Sequence, residues 1–100
     1  NHFREYVEEH IMDSISLDDI AQHLGYSKSK LYRELKDVTE YSPIDLVNLV
    51  RLHKAVELMT QEHQNITEAA FNTGFSSPSY FSRTFLKYYY MRPKDYIKRK

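Results

Sequence analysis

Residues 74–85 read GFSSPSYFSRTF, and residues 25–35 read GYSKSKLYREL. Both begin Gly, aromatic, Ser and run into apolar residues at helical spacing around a central Arg. Working outward from the glycines, the match extends in both directions. Leu17-Asp18-Asp19-Ile20-Ala21 lies 49 positions before Ile66-Thr67-Glu68-Ala69-Ala70, and Gly25-Tyr26-Ser27 lies 49 before Gly74-Phe75-Ser76. One residue then enters the second copy. After it, Leu31, Arg33, Leu35, Pro43 and Asp45 each lie 50 before Phe81, Arg83, Phe85, Pro93 and Asp95. A short helix, a Gly-containing turn and a second helix make a helix-turn-helix unit. A bundle of duplicated hairpins is the blander reading, but a duplication this deep, with its insertion confined to one turn, weighs against it. Ala21 and Ala70 are small enough for paired helices to approach, and Tyr26 and Phe75 can plug the corner between them.

The rest of the chain also reads as helix. Its two glycines and three prolines sit where helices should start or stop. Phe3, Tyr6, Val7 and Ile11 predict a helix over 3–11. Ser16 with Asp19, and Asn65 with Glu68, read as capping boxes. Ser27 can cap a helix whose buried stripe is Leu31, Leu35 and Val38. Ser42-Pro43 starts a long helix, Pro being favoured in a first turn. That helix is apolar nearly all round in its first half, so burial on more than one side is expected, Leu49 included. Ser77-Pro78 starts a helix with Phe81, Phe85 and Tyr88 inward, and Pro93 starts a short last one. The expected fold is all-α: seven helices, with helix-turn-helix units at about 16–41 and 65–91, a linker helix at about 43–60 and a last helix at about 93–98.

At about 100° per residue, the second helix of each unit has a definable outer face. On the first, at about 28–39, Ser29, Arg33 and Lys36 point away from the buried stripe, flanked by Lys30 and Tyr32. On the second, at about 78–89, Ser79 and Arg83 do so, with Tyr80, Ser82 and Lys87 alongside. Lys28 and Ser77, at the helix starts, complete the set. Arg bonds guanine O6 and N7 bidentately, while Ser, Tyr and Lys suit bases or phosphates. A lone exposed Arg is usually a solvated charge; two at equivalent positions of equivalent helices point to double-stranded DNA.

A net charge of zero argues against a polyanion partner until it is resolved by segment. Residues 1–27 hold one base and six acids, and residues 37–75 two bases and six acids. Residues 28–36 hold four bases and one acid, and residues 76–100 seven bases and one acid. Positive charge therefore collects on the two candidate reading helices and the tail Lys98, Arg99 and Lys100, and local potential steers association. The chain has no cysteine, so disulfides, Cys-based zinc sites and thiol nucleophiles are excluded. The histidines, His2, His10, His23, His53 and His63, form no metal-ligand pattern, and His10 and His53 read as edges of the core. No metal, cofactor or catalytic constellation is expected. No apolar run approaches a membrane span, and no signal peptide is visible. The start at Asn1 rather than Met points to a piece of a longer protein.

The pattern resembles the AraC family of bacterial transcription regulators over roughly residues 3–97. The resemblance is strongest in ITEAAFNTGFSSPSYFSRTFLKYYYMRPKDY and is repeated in kind by LDDIAQHLGYSKSKLYRELK. SKSKLYRELK and GFSSPSYFSR also resemble members that form the output end of hybrid two-component regulators. The resemblance implies a cytoplasmic DNA-binding domain in which each helix-turn-helix unit puts its second helix into a major groove, the two grooves one DNA turn apart, ~34 Å. It further implies RNA polymerase as a partner and an N-terminal sensor or dimerisation domain in the whole protein. A helical protein-interaction module docking on RNA polymerase or a sensor is the alternative. Several departures stand out. Glu40 and Tyr90 replace a usual Gly where a left-handed residue is wanted. Arg92 replaces a Ser or Thr cap, so the last helix should start raggedly. Ala69 replaces a larger aliphatic. Leu86 stands where a base is common; it can meet a thymine methyl or pack on Tyr90.

Overall fold

The computed structural model describes residues 2–13 and 15–99, the side chains of His2, Val38, Thr39 and Arg99 excepted. Val38 as a stripe residue, and Arg99 and Lys100 as tail cations, thus lie outside the described residues. Among those described there are seven helices and no strand. They are α1 (His2–Glu9), α2 (Leu17–Leu24), α3 (Lys28–Thr39), α4 (Pro43–Gln61), α5 (Ile66–Asn72), α6 (Pro78–Tyr89) and α7 (Pro93–Arg99). The first helix ends two residues short of the expected Ile11, which leaves residues 10–13 as a turn.

The two copies repeat down to individual hydrogen bonds. Ser27 Oγ accepts from the Lys30 amide at 3.2 Å, and Ser77 Oγ from the Tyr80 amide at 3.1 Å. At the helix-turn corners the Tyr26 amide donates to the Ala21 carbonyl, as the Phe75 amide does to Ala70. The Gly25 amide donates to Gln22, and that of Gly74 to Phe71. Both corners are therefore Schellman motifs with Gly in the left-handed position. Helices α3 and α6 also end alike, on left-handed Glu40 (φ 65°) and Tyr90 (φ 60°). Each of their amides closes back on a carbonyl four residues earlier, Lys36 and Leu86. These two non-glycine residues thus adopt the left-handed geometry, which is costly for a residue with a Cβ.

Caps fix the other starts. Ser16 Oγ accepts from the Asp19 amide, while full reciprocal boxes form at Ser42–Asp45 and Asn65–Glu68. At α7 the Ser cap is replaced by an ion pair, Arg92 Nε to Asp95 at 3.5 Å.

Two cores attach to α4. Val7, Ile20, Ala21, Leu31 and Val47 form one, and Leu52, Ala55, Leu58, Met59, Ala69, Ala70, Phe75, Phe81 and Phe85 the other. Counting at about 100° per residue, Val47 and Val50 face one side of α4, and Leu52, Ala55 and Met59 face another, with Leu58 of the second core between them. This explains why the helix reads as apolar all round. Burial is deeper in its second half, contrary to expectation: Leu46, Leu49 and Val50 are half-buried and Ile44 is exposed. The first core is the smaller and covers one stripe of α4, so the other apolar positions there stay partly open. His53 is also exposed, pairing with Glu57 rather than edging the core, because it falls between the two buried stripes. His10 is half-buried, stacked 4.4 Å from the Tyr6 ring.

The molecule is elongated, with extents of 40 × 23 × 22 Å. Helices α1 to α3 form one lobe and α5 to α7 the other, and α4 packs against members of both.

Candidate nucleic-acid interface

Helix α3 buries Leu31 and half-buries Leu35, which turns its other side to solvent. Lys28, Ser29, Lys30, Tyr32, Arg33 and Lys36 are all exposed. Five of these, Lys28, Ser29, Tyr32, Arg33 and Lys36, line one open groove together with Leu17 and Asp37. Lys30 stands aside, its ammonium 4.7 Å from the Tyr26 ring centroid. Lys28 pairs with Asp18 of α2 at 3.4 Å, both side chains well exposed. An exposed pair of this kind is weak and open to competition.

Helix α6 buries Phe81, Thr84 and Phe85 and exposes Ser79, Tyr80, Arg83 and Lys87. Arg83, Tyr80 and Lys87 line a second open groove whose other wall is Ile44, Asp45 and Asn48 of α4, with Thr84 and Tyr88 at its base. The wall from α4 is not signalled by the α6 sequence, since it depends on how the lobes meet. Two expected contact residues sit differently. Ser77 is half-buried with its hydroxyl committed to the helix cap, and Ser82 is half-buried beside the inner stripe. Leu86 and Tyr90 are 47% and 88% exposed, so Tyr90 does not cover Leu86.

The second groove holds a pair of perturbed titratable groups. The Tyr88 hydroxyl donates to Asp45 Oδ1, while Asp45 Oδ2 accepts from both the amide and the hydroxyl of Ser42. That bond from Tyr88, ahead of those from Ser42, holds the Asp45 carboxyl below the usual carboxylate range against the opposing effect of burial. Burial, then the bond to Asp45, pushes the Tyr88 phenol well above its ordinary value. Asp45 at N3 after Ser42 is legible as a capping box; its reach to Tyr88, far along the chain, is not.

A helix-turn-helix domain model matches residues 20–99. The chain is 31% identical over 90 residues to the transcriptional activator RhaS of Escherichia coli O139:H28, covering 90% of this chain and 32% of RhaS. It thus spans about a third of the length of the curated relatives it matches. Among solved structures it is similar to a Chromobacterium violaceum transcriptional regulator with an AraC-type DNA-binding domain (28% identity, TM-score 0.87, 96% of this chain and 86% of that one). It is also similar to the C-terminal domain of AraT, a response regulator from Geobacillus stearothermophilus (29% identity, TM-score 0.83, 99% of this chain and 83% of that one).

Proposed function

The chain belongs to the AraC-type helix-turn-helix family, and from that membership we propose that it binds double-stranded DNA sequence-specifically to regulate bacterial transcription. Helices α3 and α6 enter successive major grooves. The observation that carries this reading is the repeated outward face: equivalent, similarly capped helices each present one exposed Arg among exposed Ser, Tyr and Lys. The long axis of 40 Å supports it, being enough to reach across one DNA turn of ~34 Å.

Arg33 and Arg83 read base edges. Ser29, Tyr32, Ser79 and Tyr80 bond bases or phosphates. Lys28, Lys30, Lys36 and Lys87 hold phosphates, Lys28 exchanging Asp18 for the backbone. Ser77 and Ser82 act at the helix margin, Ser77 chiefly by fixing the start of α6. In the whole protein this domain is the non-enzymatic output of a cytoplasmic activator, coupled to an N-terminal sensor or dimerisation domain and to RNA polymerase.

The test is a titration against a duplex selected from a random pool, run at two salt concentrations. DNA binding through phosphate contacts requires affinity to fall steeply with salt. Failure to select any duplex, or an affinity indifferent to salt, contradicts the reading and favours a protein-docking module.

A further inference from the structure

The two lobes have separate cores, both packed on α4. A protein that reads two grooves with two lobes needs something to fix the angle between them. The second groove contains such a link. Asp45 belongs to the first turn of α4, and its Oδ2 closes the cap on Ser42, two residues beyond the left-handed end of α3. Its Oδ1 takes the hydroxyl of Tyr88, five residues after Arg83 on the other reading helix. The Tyr41 ring, also just past the end of α3, meets the Tyr88 ring edge-on with centroids 6.3 Å apart. A short path of bonded and packed groups thus joins the end of α3 to α6. Hydrogen bonds to an ionised carboxylate are the stronger kind. The repeat mate Asp95 closes instead on its neighbour Arg92, so the cross-link is not a by-product of the repeated motif.

We propose that Asp45 and Tyr88 are positioning residues whose bond sets the spacing between α3 and α6, and so selects the separation of the two half-sites the chain accepts. This rests on the DNA-binding reading above. A pre-set spacing spares the chain the loss of freedom on engaging the second groove, and a loosened one lowers the effective concentration of the second reader.

The experiment uses this chain and the duplex selected by the wild type. Two derivatives of that duplex are needed: one with a base pair inserted between half-sites, and one with the α3 half-site scrambled. Tyr88→Phe removes the hydroxyl and keeps the ring in its core. Ser42→Ala removes the cap hydroxyl but keeps the residue 42 amide on Asp45 Oδ2 and the Tyr88 hydroxyl on Oδ1, so the link persists and the variant serves as the stability control. Tyr88→Phe is expected to lose about tenfold on the selected duplex, through a lower effective concentration of the second reader, and less than about twofold on the scrambled one, which engages only one reader. Its penalty for the inserted base pair should shrink, while Ser42→Ala keeps the full penalty despite a lower melting temperature. A wild-type insertion penalty in Tyr88→Phe overturns the proposal. So does an equal shrinkage in Ser42→Ala, which would show a general loss of stability. If the wild type itself ignores the insertion, the two-groove reading falls, and this proposal with it.

Discussion

Gly25 and Gly74 hold the same place in the two copies and both are left-handed, at φ 76° and 91°. Their surroundings differ. Nothing lies within 4 Å of a Cβ added at Gly25, whereas one at Gly74 would overlap the Ile11 carbonyl oxygen and press on the Arg51 guanidinium at 3.1 Å. Arg51 has little room to give: it is half-buried, and one of its terminal nitrogens donates to the Asp13 carbonyl at 2.7 Å. Gly25→Ala should therefore destabilise by the left-handed penalty alone, about 1–2 kcal/mol. Gly74→Ala adds overpacking and should cost about 3 kcal/mol or more, read by thermal unfolding. The need for glycine at both corners is legible in the sequence, because each follows a helix and opens a turn. The crowding at Gly74 is not, because Ile11 and Arg51 come from other elements. The outward faces are legible for the same local reason, which is why Arg33 and Arg83 emerge by counting around a helix. Ser77 reads equally well as a contact or a cap, and the structure spends its hydroxyl on the cap. Changing Arg33 or Arg83 to Ala should weaken selected-site binding by about 1–3 kcal/mol and relax base preference at one end only. A pair of folded variants with unchanged selectivity would remove both from the reading set.

Among elements, α4 is where sequence periodicity misleads most. Its apolar residues serve two cores on different sides, and a single stripe cannot be drawn through them. Leu52 is fully buried while Leu49 is only half-buried, on a third side. Leu52→Ala should thus lower stability by about 2–5 kcal/mol, and Leu49→Ala by distinctly less, measured by denaturant unfolding. Equal losses would mean the burial map of α4 is wrong. The ends of α3 and α6 give the opposite lesson. There the family pattern wants Gly, and Glu40 and Tyr90 adopt the left-handed geometry regardless. Replacing either by Gly relieves about 1–2 kcal/mol of strain and gives back about 0.4–1 kcal/mol through a freer unfolded chain. Each change should therefore raise stability by up to about 1.6 kcal/mol, seen as a higher melting temperature. Tyr90 is almost wholly solvent-exposed, so little packing is lost with its ring.

At the scale of the molecule, duplication without identity decides the form of the DNA site. A palindrome needs two identical readers related by a two-fold axis. On the proposed DNA-binding reading, this chain carries two unlike ones in tandem. The α3 face offers Ser29, Lys30, Tyr32, Arg33 and Lys36; the α6 face offers Ser79, Tyr80, Arg83 and Lys87. The architecture of two units and a linker was readable from the repeat because local chemistry, namely caps, glycines and stripes, specifies each unit separately. The relation between units was not, because it depends on how each lobe packs on α4 and on contacts between residues distant in sequence, Tyr88 to Asp45 among them. Footprinting of this chain on its selected duplex tests the central claim most directly. One chain should protect one asymmetric site across two successive major grooves, close to ~20 base pairs with flanks. A palindrome filled cooperatively by two chains, or protection confined to a single groove, would contradict it.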